Sequence, residues 1–284
     1  MKISIVIPSI GNKTLWGVLK GLEKQIEINS QVWWEVIVVF DGQYLNKFID
    51  QEKKYCSKNF KFYEQLDPML KGRSGARNYG LDRVTGDIVV FLGDDTAPVG
   101  DWGKILVEFF QQKKKNTGLL GFVGWAPKLM KDPLHKWLLT NAQFGYTKNL
   151  KPNWRHFYTS CIALPMDLIG EERFAYGFNG WGFEDTEFGY RLAQKGMRLE
   201  YNKNWQVEHD HSQIWENVLK NTRSAGINAR EFERLHPEVK IIPRGIKRFL
   251  LWAIVFKLRF IPFKPQKLQW WYEWKRAWLD GTKK

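Results

Sequence analysis

Two adjacent carboxylates, Asp94 and Asp95, stand one glycine past an apolar run over residues 88–92 that predicts a buried strand. Neighbouring carboxylates repel each other unless a cation or a polar network offsets their charge. Hard divalent cations take carboxylate oxygens as ligands and keep further positions open for phosphate. The pair therefore indicates a divalent-cation site, although a polar turn that caps the next helix explains the pair alone equally well.

A second acidic pair follows Trp181, which has a glycine on either side. The glycines predict a flexible loop with one flat aromatic face, and such a face stacks well on a sugar ring. Glu184 and Asp185 then open a predicted helix, where acidic side chains favour the positive end of the helix dipole. The segment is therefore a candidate for contact with a sugar, and helix capping is the alternative interpretation of Glu184 and Asp185.

His209 and His211 follow an apparent strand. An H-x-H pair can place one or both imidazoles on a metal ion. Without other ligands such a pair is more typical of a surface turn, so its interpretation depends on the aspartate pair.

Two nucleotide-binding motifs are absent from the sequence. Gly72, Gly75 and Gly80 do not form G-x-G-x-x-G after a strand, and no G-x-x-x-x-G-K-[ST] occurs. Both a dinucleotide-binding fold and a P-loop NTPase are therefore disfavoured.

The elements that must position these side chains alternate along the first hundred residues. Short apolar runs predict strands over residues 3–8, 36–40, 60–63 and 88–92. Apolar residues at helical spacing predict helices between them: Leu15, Leu19, Leu22 and Ile26, then Leu45, Phe48 and Ile49, then residues 76–84. This alternation predicts a parallel sheet with helices on both faces. Ligands of such sheets bind at the carboxyl ends of the strands, where Pro8, Ser9, Asp41, Asp94 and Asp95 stand.

The remainder of the chain is less regular. Helices are predicted over residues 102–110 and 184–195 and from Ile214 to Ile227, and a strand over residues 158–164. Residues 246–284 hold ten Lys/Arg, two acidic residues and five Trp, and Pro262 and Pro265 divide them into two short helices.

Composition limits the class of protein. With 284 residues, 44% hydrophobic and 26% charged, the chain is long enough for one large or two small globular domains. A net charge of +14 favours anionic partners.

Cys56 and Cys161 match no zinc or redox spacing and are expected to be buried free thiols. The first residues do not resemble a signal peptide, and no apolar run reaches the ~20 residues of a spanning helix, so a cytoplasmic location is expected.

Taken together, the motifs resemble the family 2 glycosyltransferases of the GT-A fold, over about residues 2–230. Each motif is modest alone, but their order and separations are specific. The segments that carry the resemblance are residues 4–9, 38–42, 75–81, 86–95, and 182–185 leading to 189–192.

The resemblance implies an α/β fold of GT-A type, with a Rossmann-like, mostly parallel sheet flanked by helices and a C-terminal helical tail. Residues 1–98 would form the half that binds the nucleotide sugar and residues 99–245 the acceptor-binding and catalytic half of the same domain. Residues 246–284 would form the basic, Trp-rich tail. Gly93 stands where the family usually has the first Asp of its D-x-D motif, which is a departure from the pattern.

The resemblance also implies roles for individual residues. Asp185 would be the general base, with Glu184 beside it contacting the acceptor. The other expected contacts are Pro8, Ser9, Asp41, Arg77 and Asp94 to the donor nucleotide, Trp181 and Gly182 to the acceptor, and Asp95 and His209, with His211 as the alternative, to Mn²⁺ or Mg²⁺.

The expected function is inverting transfer of a sugar from a nucleoside-diphosphate donor, with UDP as the expected nucleotide, to a glycan or lipid-linked hydroxyl. An inactive sugar-nucleotide-binding protein and a sugar nucleotidyltransferase are the alternatives. Nucleic-acid binding is disfavoured because the sequence contains no RNA- or DNA-binding motif.

We expect residues 246–284 to dock on the inner face of an anionic membrane. The alternative is that their aromatic residues fold back on the catalytic domain or bury a dimer contact.

Overall fold

The computed structural model describes residues 1–44, 55, 59–112, 114–141 and 151–283. Residue contacts divide the chain into two units. The first comprises Met1–Tyr176 and Asp185–Ser212, and the second comprises Gly177–Glu184 and Gln213–Lys284.

An eight-stranded mixed sheet forms the first unit. Its strands are β1 (Lys2–Ser9), β2 (Trp33–Asp41), β3 (Phe60–Gln65), β4 (Ile88–Leu92), β5 (Thr96–Val99), β6 (Thr117–Trp125), β7 (Cys161–Pro165) and β8 (Arg198–His209). Their order across the sheet is β3-β2-β1-β4-β7-β6-β8-β5. Only β5 and β7 run against the other six strands. The predicted α/β fold with a mostly parallel sheet is therefore confirmed, and the predicted strands correspond to β1–β4 and β7.

The helices of the first unit are α1 (Leu15–Ile28), α2 (Arg73–Leu81), α3 (Trp102–Gln111), α4 (Pro133–Asn141), α5 (Met166–Ile169) and α6 (Glu184–Gln194). The first residue of α6, Glu184, is assigned to the second unit. The helices of the second unit are α7 (Trp215–Leu235), α8 (Gly245–Arg259) and α9 (Gln266–Gly281). The helix predicted from Leu45, Phe48 and Ile49 lies outside the described residues. None of the described helices is both long and apolar enough to cross a membrane.

The central strands are buried on both faces of the sheet. Ile5 and Ile7 of β1 belong to the cluster on one face, whereas Val6 packs with Val89 and Phe91 on the other. Since successive side chains of a strand point to opposite faces, burial on both sides explains why these strands are continuous apolar runs. Cys161 is a buried free thiol whose pKa is raised by that burial, and Cys56 lies outside the described residues.

Candidate active site

The carboxyl ends of β1 and β4 are joined by Asp94. Its Oδ2 accepts hydrogen bonds from Ser9 Oγ at 2.6 Å and from Asn12 Nδ2 at 3.0 Å. Burial, followed by the charge of Asp95, raises the pKa of Asp94 to about 6. Two predicted donor contacts, Ser9 and Asp94, therefore lie side by side at this edge of the sheet, with Asn12 as a further polar group that the sequence pattern did not single out.

Asp95, His209 and His211 converge at the same edge. The Nδ1 atoms of both histidines lie 3.4 Å from Oδ2 of Asp95. One possible ligand atom from each of the three residues lies within 4.8 Å of the others. Burial acts to raise the pKa of Asp95, but the nearby imidazoles, His209 first, hold it at about 2. The carboxylate is therefore ionised near neutral pH and available to a cation.

Strand pairing explains this convergence. β5 pairs antiparallel with β8, and Thr96 lies opposite His209 in the register, so Asp95 lies next to the end of β8. Burial lowers the pKa of His211, which favours the neutral imidazole that binds metals. A carboxylate with two imidazoles is a donor set for first-row transition ions, whereas Mg²⁺ prefers oxygen ligands alone. The residues present therefore fit a divalent transition-metal ion.

Trp125 forms a wall beside this cluster. Its ring centroid lies 4.8 Å from that of His209 and 5.8 Å from that of His211. His135 lies against Trp125 at 4.8 Å, and its Nδ1 lies 2.9 Å from Asp132 Oδ2. Trp125 thus limits the orientations of both candidate ligands, and sequence analysis did not identify it.

The end of β2 is joined to the start of α2. The Gly72 amide donates to Asp41 Oδ2 at 2.9 Å, and Gly72 has a φ of +104°, which favours glycine. Arg77 is buried on α2, with its Cζ 5.3 Å from the ring centroid of Phe174. Burial acts to raise the pKa of both Asp94 and Asp95, whereas the charge of Arg73, at the exposed start of α2, acts to lower both. Arg73 is thus a second candidate cation for a diphosphate, and no sequence pattern indicated it.

Asp185 lies in the first turn of α6. Its Oδ1 accepts from the Thr186 amide at 2.8 Å, and its Oδ2 accepts from the Thr159 amide at 3.5 Å. The next carbonyl, that of Ser160, accepts from Thr96 Oγ1 at 3.2 Å. The two-residue segment before β7 therefore contacts both Asp185 and the residue that follows Asp95.

An ion-pair network anchors α6. The Arg191 Nε donates to Glu187 Oε1 at 2.7 Å, and its guanidinium also pairs with Glu172 and donates to the Arg173 carbonyl at 2.6 Å. Lys195 Nζ lies 2.6 Å from Glu172 Oε1. These contacts fix the helix that carries Asp185.

The predicted acceptor residues Trp181, Gly182 and Glu184 belong to the second unit. Asn228 Nδ2 donates to the Gly182 carbonyl at 2.8 Å and to the Trp181 carbonyl at 3.2 Å, and the Trp181 amide donates to Ser224 Oγ at 2.8 Å. Trp181 is half-buried and Glu184 is buried. The loop that sequence analysis expected to be flexible is thus held by hydrogen bonds to α7.

This strand edge, with its polar groups and candidate metal cluster, lies in a part of the chain that largely matches a known family. Residues 4–171, more than half of the chain, match the family described as Glycosyl transferase family 2. The chain belongs to glycosyl transferase family 2. The resemblance stated from the sequence is thereby confirmed, as is the expectation of a glycosyltransferase.

One curated relative of this family 2 chain is a validoxylamine A glucosyltransferase from Streptomyces hygroscopicus subsp. jinggangensis. It is 31% identical over 132 residues, which cover 46% of this chain and 29% of the relative. A second relative of the same name comes from Streptomyces hygroscopicus subsp. limoneus. It is 31% identical over 132 residues, which cover 46% of this chain and 27% of the relative. The match spans less than a third of the length of either relative.

Solved structures confirm the GT-A type of fold. A mannosyltransferase from Pyrobaculum calidifontis, in complex with GDP-Man and Mn²⁺, aligns with a TM-score of 0.64 at 12% identity, over 98% of this chain and 85% of that one. S. aureus TarS 1-349, in complex with UDP, aligns with a TM-score of 0.56 at 13% identity, over 99% of this chain and 90% of that one.

Proposed function

We propose that this family 2 chain transfers a sugar, with inversion, from a nucleoside-diphosphate donor to a hydroxyl group of a glycan or lipid-linked acceptor. The observation that carries the proposal is the convergence of Asp95, His209 and His211 beside the Ser9–Asp94 pair at the carboxyl edge of the sheet. Complexes of related folds with GDP-Man and Mn²⁺ and with UDP support a nucleotide-sugar donor. UDP is the nucleotide that we test first.

The donor would be held by groups from three strand ends. Ser9, with Pro8 before it, and Asp41 offer polar contacts to a nucleoside, and Arg73 and Arg77 offer cations to a diphosphate. A divalent ion, Mn²⁺ in preference to Mg²⁺, would be held by Asp95 with His209 and His211 and would neutralise the charge that develops on the departing diphosphate.

Asp185 would act as the general base. In this step its carboxylate takes the proton of the acceptor hydroxyl, and the acceptor oxygen forms a bond to the anomeric carbon of the sugar. The bond from that carbon to the diphosphate oxygen breaks, and its electron pair leaves with the nucleoside diphosphate. A single displacement of this kind inverts the anomeric centre without a covalent sugar–enzyme intermediate.

Acceptor recognition is assigned to Trp181, Gly182 and Glu184. An indole face offers a stacking surface to a sugar ring, and the buried Glu184 carboxylate offers a hydrogen-bond acceptor to a hydroxyl group. A lipid-linked acceptor would be presented at the inner face of the cell membrane, and the proposal includes association with that face through residues 246–284.

The proposal is tested by incubating the purified chain with UDP- and GDP-sugars and soluble glycan acceptors, with MnCl₂ or with EDTA, while nucleotide release and product are measured. We expect transfer with Mn²⁺, none with EDTA, and none from Asp95→Asn. Asp101→Asn, which removes an exposed carboxylate before α3, is the matched control and should be fully active. Donor binding without turnover would instead support a sugar-nucleotide-binding scaffold, and full activity in EDTA would exclude the metal role.

A further inference from the structure

Helix α8 is apolar on two opposite sides. On one side, Leu251, Val255 and Leu258 pack with Tyr272 and Leu279 of α9. Val255 is the one buried residue among the fifteen of α8. This packing explains why one side of the helix is apolar, but it does not explain the apolar residues on the other side.

The opposite side of α8 is exposed. Apolar residues recur there at helical spacing and continue into the following loop: Ile246 (74% exposed), Phe249 (63%), Leu250, Phe256, Phe260 (68%), Ile261 and Phe263 (92%). Soluble proteins seldom expose a contiguous apolar surface unless it binds a partner or a membrane.

The charge of this segment has one sign. Residues 239–272 contain eight Lys/Arg and neither Asp nor Glu. Lys247, Lys257, Arg259 and Lys267 are exposed among them. A surface that combines exposed aromatic residues with cations alone is complementary to a layer of apolar chains covered by anionic headgroups.

We propose that the exposed side of α8 and the loop over residues 260–263 form the docking surface for an anionic lipid bilayer. This refines the membrane association included in the proposed function, and lipid binding is measured without sugar transfer, so either can fail alone. A second copy of the chain is a poorer occupant, because a two-fold contact would bring the same uncompensated cations face to face.

Helix α9, which carries four of the five tail tryptophans, is not part of this surface. Trp270 lies with its ring centroid 5.9 Å from that of Trp215 of α7, and Trp278 lies 6.1 Å from Phe183. The Trp215 Nε1 also donates to Glu273 at 2.5 Å. The tail is therefore divided: α9 stabilises the second unit, and α8 with its loop faces the lipid.

The test is flotation of the full chain with vesicles of phosphatidylcholine and phosphatidylglycerol in equal parts, and with phosphatidylcholine alone. The triple change Phe249→Ser, Phe260→Ser, Phe263→Ser should weaken binding to the anionic vesicles at least about tenfold, since each Phe loses its contact with the apolar layer. The double change Met69→Ser, Ile28→Ser is the matched control. It removes apolar side chains that are likewise exposed, 86% for Met69, in the first unit, and should bind as wild type does.

Charge is tested separately with Lys247→Gln and Lys257→Gln. Each removed cation should weaken binding to anionic vesicles about fivefold, the equivalent of ~1 kcal/mol. About 0.5 M NaCl should weaken wild-type binding as well, because screening then acts within a few ångströms. Melting temperatures of all variants should match wild type, since every changed side chain is exposed.

Three results would overturn the inference. The wild-type chain could fail to float with anionic vesicles, or the triple variant could float as well as wild type. In the third, the wild-type chain forms a dimer, and the triple variant is a monomer that still binds vesicles as wild type does. This surface would then be an interface between two copies of the chain.

Discussion

Replacing Asp185 with Asn should lower turnover about 10²–10⁴-fold, the range that a positioned general base contributes. The substitution keeps the side-chain shape and one carbonyl oxygen, which can still accept from the Thr186 amide at 2.8 Å. At the Oδ2 position an NH₂ group would face the Thr159 amide, so the contact at 3.5 Å is lost. A hydrogen bond to a carboxylate contributes about 1.5–3 kcal/mol, and at 3.5 Å this one falls at the lower end of that range, roughly tenfold.

The two magnitudes decide between a structural and a catalytic role. If Asp185 only capped α6, Asp185→Asn would cost about tenfold at most, and a loss of more than a hundredfold requires the lost basicity. The assay is single-turnover nucleotide release with a soluble acceptor, together with calorimetric donor binding, which should stay within about threefold of wild type.

Glu184→Gln is the matched control, because it removes the charge of the neighbouring carboxylate in the same helical turn. It should weaken acceptor binding more than it lowers turnover. Turnover above a tenth of wild type for Asp185→Asn, or a deadlier Glu184→Gln, would refute the assignment of the base. A product with retained anomeric configuration by NMR would refute the single displacement itself.

Three further outcomes are expected. His211→Gln should weaken Mn²⁺ binding at least about tenfold by electron paramagnetic resonance, with His236→Gln unchanged, because losing even an outer-shell partner of a metal typically costs 10–100-fold. Arg73→Gln should raise the KM for the donor about tenfold and leave kcat nearly unchanged, since its cation acts on the bound diphosphate. Glu35→Gln should lower the free energy of unfolding at pH 7 by about 1–3 kcal/mol in urea titrations, because the buried carboxylate accepts from Ser4, Thr85 and Lys61. Burial acts to raise the pKa of Glu35, but these bonds lower it below its usual value. The stabilisation by the Glu35 carboxylate is therefore present above the pKa of the unfolded state and is lost as the pH falls through the pKa of the folded state. The difference in unfolding free energy between wild type and Glu35→Gln should accordingly narrow in acid.

The first half of the sheet could be predicted because its strands are buried on both faces and therefore appear as continuous apolar runs. β6 could not, because Gly118, Gly121 and Gly124 interrupt its apolar pattern, and glycine usually weakens a strand. In the structure Gly121 is needed there, since a Cβ would lie 2.5 Å from both Cys161 Sγ and the Trp205 carbonyl oxygen.

The candidate site was predictable where its residues end consecutive strands and not where distant strands meet. Asp94 and Asp95 could be identified because they stand just past the end of β4, after Gly93. The contact of Asp95 with His209 depends on β5, a four-residue strand that contains Pro98 and pairs with a segment more than a hundred positions away. Arg73 and Trp125 have no motif of their own, and only their positions in the fold relate them to the aspartates.

The departure at Gly93 also weighs less against catalysis than the sequence alone suggests. A Cβ at Gly93 would lie 2.8 Å from Asp95 Oδ1 and 3.0 Å from Thr96 Oγ1, so glycine leaves room for the carboxylate that the two imidazoles approach. The departure therefore leaves both the candidate metal ligands and the candidate base in place. Partly burying an ionised carboxylate beside two imidazoles costs free energy that apolar packing does not offset. Such clusters are concentrated at functional sites, so the departure at Gly93 does not by itself favour a catalytically inactive protein.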